Sequence, residues 1–130
     1  MTTVALLAAT VTLTIPVAPV PARVDYDRLL ACIIQVEGHR WEDEGGALAF
    51  TRDAWKEVTE LPYRMAKHCY YAREVAHFLL AKHERNLAAA GIAITPESLA
   101  TAWRWGLTGA IRRKGKSEYG SRTANLYFDR

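Results

Sequence analysis

One acid stands where it could do chemistry. Glu37 closes the apolar stretch Leu29-Leu30-Ala31-Cys32-Ile33-Ile34-Gln35-Val36 and is followed by Gly38. On a helix, residues three, four and seven apart share a face. That spacing puts Glu37 on the stripe of Leu30 and Ile33, the side expected to meet a core. A carboxyl group carried by a helix end into apolar surroundings loses hydration, and its pKa rises. Such a group stays protonated near neutral pH and can donate a proton. A partly solvated Glu in a frayed last turn fits the same segment, which leaves both readings open.

Other residue types bear on the same question. Glu42, Asp43 and Glu44 follow in a polar, glycine-containing stretch and can either fold back on Glu37 or form a solvated acidic turn. Trp41 lies among them, free to contact a ligand. Trp103 and Trp105, two apart on one helix, point in roughly opposite directions. Trp103 shares the stripe of Leu99 and Gly106 and reads as core, while Trp105 reads as exposed or groove-lining. Tyr119 falls on an inward helical face, where it either hydrogen-bonds a carboxyl group or packs as core. Cys32 and Cys69 suit one disulfide in an oxidising compartment or a pair of buried thiols. His68, His77 and His83 are nine and six residues apart on one predicted helix and diverge at ~100° per residue, so no metal site is expected.

The elements that must position these residues read as helices joined by short loops. The first spans about Asp25 to Glu37, and a short irregular loop follows it. Thr51 caps a short helix carrying Trp55 and Val58. Pro62 opens the longest helix and Gly91 closes it. Its apolar positions, Met65, Cys69, Ala72, Ala76, Leu79, His83 and Leu87, recur at three or four, which makes it the expected central buried helix. Thr95-Pro96 starts another helix and Ser117 to Phe128 forms the last. The fold class is mostly α.

With 130 residues, half of them hydrophobic and about a quarter charged, the chain suits one domain. A net charge of +3 is too small to imply nucleic acid, but favours an anionic polymer or a cell surface. The dense basic run Arg112-Arg113-Lys114-Gly115-Lys116 reads as a solvated loop or, less simply, a phosphate-reading one. Residues 1–22 carry no charge, are apolar from Val4 to Ile15 apart from three threonines, and end Val20-Pro21-Ala22. That pattern favours a cleavable export signal ahead of a domain at 23–130, although no Lys or Arg follows Met1. The apolar run is too short for a membrane span.

The order of local features also has a likeness. Val36-Glu37-Gly38 is followed by Gly45-Gly46-Ala47-Leu48-Ala49-Phe50-Thr51-Arg52-Asp53-Ala54-Trp55. Next come Leu99-Ala100-Thr101-Ala102-Trp103-Arg104-Trp105-Gly106 and then Tyr119-Gly120-Ser121-Arg122-Thr123-Ala124-Asn125-Leu126-Tyr127. From about Tyr26 to Tyr127 this resembles the lysozyme-like superfamily, in its soluble-lytic-transglycosylase and goose-type lysozyme branch. The resemblance implies a lysozyme-like helical domain with Glu37 as general acid. It matches Gly46 to the glycine of the family's turn and Tyr119 to the closing-helix tyrosine near the catalytic Glu. Two positions depart from the pattern: the family's groove-lining Gln falls at Ala49, and its Asn falls at Arg104.

What the resemblance implies is an exported, periplasmic or secreted protein that cleaves the MurNAc-GlcNAc β-1,4 bond of peptidoglycan. No cofactor, metal, nucleic acid or stable membrane span is expected, and a monomer is. Glycosidic cleavage normally uses two carboxylates. Glu42, Asp43 or Glu44 would supply the second in a hydrolase. In the lytic transglycosylases a single Glu serves as acid and then as base for the substrate's own hydroxyl. Trp41, Gly46, Trp105 and Tyr119 are the expected substrate-binding residues. Loss of the Gln and Asn leaves open a decayed relative that binds the cell wall or shapes the envelope without cleaving it.

Overall fold

The protein is described by a computed structural model covering residues 23–129. The expected export signal, residues 1–22, lies outside the described residues. Among the described residues, five α-helices and one 3-10 helix build a single all-α domain. α1 spans Tyr26–Glu37, and the Asp25 side chain caps it by accepting from the Arg28 N–H. Gly38 ends it in the left-handed region at φ 70°, with its N–H returned to the Ile34 carbonyl. α2 (Arg52–Val58) is capped by the Thr51 hydroxyl, as the sequence predicts. α3 runs Cys69–Ala89, α4 runs Pro96–Arg112 behind a Thr95/Ser98 capping box, and α5 runs Glu118–Phe128 behind Ser117.

One element differs from the sequence reading. The helix expected from Pro62 is broken at His68, whose φ of −97° and ψ of 115° are extended. Tyr63–Lys67 forms a 3-10 helix instead, and α3 starts only at Cys69. The reason is tertiary. Ala66 is fully buried with its carbonyl against Gly46 of the loop after α1, a contact that anchors the 3-10 turn to that loop. Met65 therefore leaves the α3 stripe.

The break also corrects the disulfide. Cys32 is buried on α1, whereas Cys69 is exposed in the first turn of α3, where its sulfur accepts from Arg73 Nε at 3.0 Å. Both thiols are free. Burial pushes the Cys32 thiol above its ordinary pKa, with Arg28 opposing, so it is a poor nucleophile.

The core is continuous. α3 lies against α1, α2, the 3-10 helix and α4, while α5 lies on α4 and α1. Trp55 is fully buried and its indole N–H donates to the Leu61 carbonyl at 2.7 Å. Phe50 meets Trp55 and Trp103 edge-on, with centroids 5.0 and 5.1 Å apart. Such contacts add to area burial, as aromatic quadrupoles favour edge-to-face geometry. The most enclosed stretch is Ser98 to Ala102 of α4, buried at every position. Among the described residues no helix is long and apolar enough to cross a membrane.

Two measurements follow from the core. Native protein should react with a thiol reagent at Cys69 alone, and denatured protein at both cysteines; fewer than two after denaturation would indicate a bond. The second concerns His83, buried on α3 with Nδ1 lacking a partner. Burial lowers its pKa, Glu57 opposes this and Lys82 adds to it. Above the unfolded pKa of about 6.5 both states are neutral and stability is full. As pH falls below that, the unfolded chain takes up a proton that the folded state refuses, and stability drops by up to ~1.4 kcal/mol per pH unit until the folded pKa is passed. Urea midpoints between pH 7.5 and 5.5 should fall accordingly, and His83→Leu should flatten the decline.

Candidate functional site

The site begins with a close helix crossing. Gly120 of α5 sits against α4, where a Cβ would stand 2.3 Å from Thr101 Oγ1 and 2.6 Å from the Glu97 carbonyl oxygen. The Thr101 and Ser117 hydroxyls meet at 2.8 Å beside it. With no side chain between them the helices lie close, and the preceding residue, Tyr119, reaches across to the end of α1. Its hydroxyl donates to Glu37 Oε1 at 2.9 Å, a bond between residues 82 apart in the chain.

Glu37 is mostly covered, with its side chain 12% exposed. Its second oxygen, Oε2, lies 3.9 Å from His39 Nε2, too long for a hydrogen bond but close enough for attraction when the imidazole is protonated. Tyr119 is held far above its ordinary pKa by burial first, then by the Glu37 charge and their hydrogen bond. Arg104 and Arg122 act the other way. The phenol thus remains a donor at any accessible pH. It fixes Oε1 and leaves Oε2 as the atom able to exchange a proton with a third group. His39 was not singled out by the sequence reading; its position just past the helix-ending glycine was the available signal.

The other expected residues are placed less uniformly. Trp41 is half-buried and packs on the core, so it is less free than a solvated loop residue. Gly46 is buried rather than groove-lining: at φ 71°, its absent Cβ would stand 2.0 Å from the Ala66 carbonyl oxygen. Its role is to let the loop and the 3-10 helix meet. Trp103 is half-buried against Phe50, and Trp105 is 45% exposed. Ala49 is half-buried at φ 55° and Arg104 is exposed.

The three loop acids are engaged locally. Glu42 pairs with Arg40 at 3.1 Å, Asp43 accepts from the Arg40 N–H at 2.9 Å, and Glu44 pairs with Arg52 at 3.0 Å. Just beyond them lies a concavity of about 390 Å³ lined by Glu44, Arg52, Tyr63, Arg64 and Lys67. Glu37 is not on its wall. Among the described residues no cluster of His, Cys, Asp and Glu is able to hold a metal ion. No protein-family model, no curated protein and no solved structure matches this chain.

The crossing can be tested directly. Alanine in place of Gly120 gains about 1 kcal/mol of helix propensity, but overpacking costs about 1–3 kcal/mol. The clash wins because the Glu97 carbonyl is backbone and cannot swing aside. Gly120→Ala should therefore lower the unfolding free energy by up to about 2 kcal/mol in urea titrations.

Proposed function

We propose that the protein is a peptidoglycan-cleaving glycosidase of lysozyme-like fold, with Glu37 as its acid and base. The observation that carries this reading is the Tyr119–Glu37 bond, formed between residues that the family resemblance pairs independently. A covered carboxyl group with one oxygen fixed by a permanent donor is oriented for proton transfer through the other. In this reading Glu37 Oε2 protonates the glycosidic oxygen as the bond to the anomeric carbon breaks. The resulting carboxylate then removes a proton from the substrate's own hydroxyl, which closes an anhydro ring. One enzymic carboxylate suffices, and the local pairing of Glu42, Asp43 and Glu44 favours this transglycosylase route over a hydrolase. The protein acts on glycan strands outside the cytoplasm, after loss of residues 1–22, as a monomer.

A second reading has an observation in its favour. Glu37 lies off the walls of four concavities among the described residues, and Ala49 and Arg104 stand where the resemblance would place a Gln and an Asn. A non-catalytic wall-binding or envelope-structural protein would retain the fold under those conditions.

Digestion of purified sacculi separates the two. The wild type should release fragments with anhydro ends, and Glu37→Gln should lower the rate by about 10²-fold or more, because the amide keeps the shape but cannot transfer a proton. Tyr119→Phe should cost less than that. Substitution of Glu42, Asp43 or Glu44 should be tolerated. Sacculi bound but never cleaved by the wild type would establish the non-catalytic reading.

A further inference from the structure

Residues 98–117 contain Arg104, Arg112, Arg113, Lys114 and Lys116 and not one carboxylate. None of these five cations is in an ion pair among the described residues. An excess of positive charge with no internal partner is available to an outside anion. In their midst stands Trp105, with nearly half its surface exposed.

The surroundings of this ring are built. Gly106, at φ 73° and ψ 174°, interrupts α4 immediately after Trp105, and the chain resumes helically to Arg112. One turn on, Gly109 leaves space for the indole, since a Cβ there would fall 2.8 Å from Trp105 Cβ and 3.3 Å from Arg113 Nη1. The Arg113 guanidinium lies 4.0 Å from the ring centroid and donates through Nη1 to the Gly109 carbonyl at 3.2 Å. Arg104 stands at 5.6 Å from the same centroid. Arg113 is thus fixed by a hydrogen bond and a cation–π contact together, so little rotamer freedom remains to be lost on binding.

We infer that Trp105, Arg104 and Arg113 form a subsite for a carboxylate-bearing sugar of a glycan strand. Arg113 covers part of the indole, and the exposed remainder offers apolar contact for the C–H groups of a sugar, while the guanidinium groups offer planar donors that match a carboxylate. Arg104 lies one turn after Thr101, the α4 residue at the Gly120 crossing, so the subsite and the candidate site are carried by the same helix. In this chain a cation therefore replaces the neutral amide that the lysozyme-like resemblance would place at position 104. The inference rests on the glycan reading of the Glu37 site, and names an anionic strand as its ligand.

Binding to the full chain carrying Glu37→Gln tests it without cleavage. The probes are end-labelled peptidoglycan strands stripped of peptides, which bear free muramic carboxylates, and uncharged chitin oligosaccharides of similar length. At about 0.15 M salt, where exposed long-range attraction is largely screened, the anionic strand should bind about tenfold tighter than the neutral one. Arg104→Gln and Trp105→Ala should each weaken that binding about fivefold or more. Arg113→Lys keeps the charge but loses the planar stack, and should also weaken it. Arg104 and Trp105 are exposed and Arg113 is half-buried, and unchanged urea midpoints will exclude misfolding as the cause.

Equal affinity for neutral and anionic strands overturns the subsite. So does an Arg113→Lys variant that binds as tightly as its parent, or equal competition by vesicles of anionic phospholipid, which would mark a general polyanion surface. If the wild type fails to cleave sacculi while the charge preference holds, the glycosidase reading falls and the subsite stands.

Discussion

The contact of α5 with α4 at Gly120 governs what the rest of the molecule can do. A hydrogen at that position lets the helix backbones approach, and the paired hydroxyls of Thr101 and Ser117 satisfy one another within the crossing. α5 is thereby presented to α1 as well as to α4. Tyr119 is the residue that uses this placement, since it needs both a buried ring and a polar end that meets Glu37. A phenol suits such a position because its apolar body packs while its hydroxyl satisfies a group that would otherwise be costly to cover.

The same logic explains why Glu37 is tolerated at the end of an otherwise apolar helix. A covered carboxyl group without partners loses hydration with nothing in return. Here one oxygen is bonded to Tyr119 and the other lies near His39 at the exposed margin. Gly38 contributes by turning the chain in a conformation other residues adopt at a cost, which ends the helix at the acid. The group is held in place from α5 and remains reachable through one oxygen. Under the proposed glycosidase reading, this division of labour separates the atom that is positioned from the atom that transfers the proton.

Charge distribution adds a second layer. The whole chain carries only +3, but its positive groups are unevenly placed. The loop after α1 spends its arginines on its own acids, Arg40 on Glu42 and Arg52 on Glu44. The second half of α4 and the turn beyond it leave theirs without carboxylate partners among the described residues. Exposed pairs of the first kind add little stability. Cations of the second kind keep their field for an external ligand, which is where the proposed glycan subsite draws its selectivity.

Much of this was legible before any coordinates. Periodicity and caps located α1, α2, α4 and α5, because Asp25, Thr51, Thr95 and Ser117 satisfy helix-end N–H groups through local bonds that sequence neighbours alone decide. The stripe that holds Glu37 was likewise readable from spacing. Other features depended on residues far apart in the chain. The break at His68 arises because Ala66 is held against Gly46, twenty residues earlier, and a local helix pattern contains no trace of that contact. The same break puts Cys69 on the surface, away from the apolar stripe on which both readings of the cysteine pair place it. Trp41 and Gly46 looked available for ligand because a loop sequence does not state what it folds against. The sequence by itself determined where α1, α2, α4 and α5 lie and which face of each is apolar, since those follow from bonds within a few residues. Tertiary structure decided which open reading of Tyr119 holds, carboxyl partner or plain core, because its bond to Glu37 joins residues 82 apart on two helices whose closeness is set by packing.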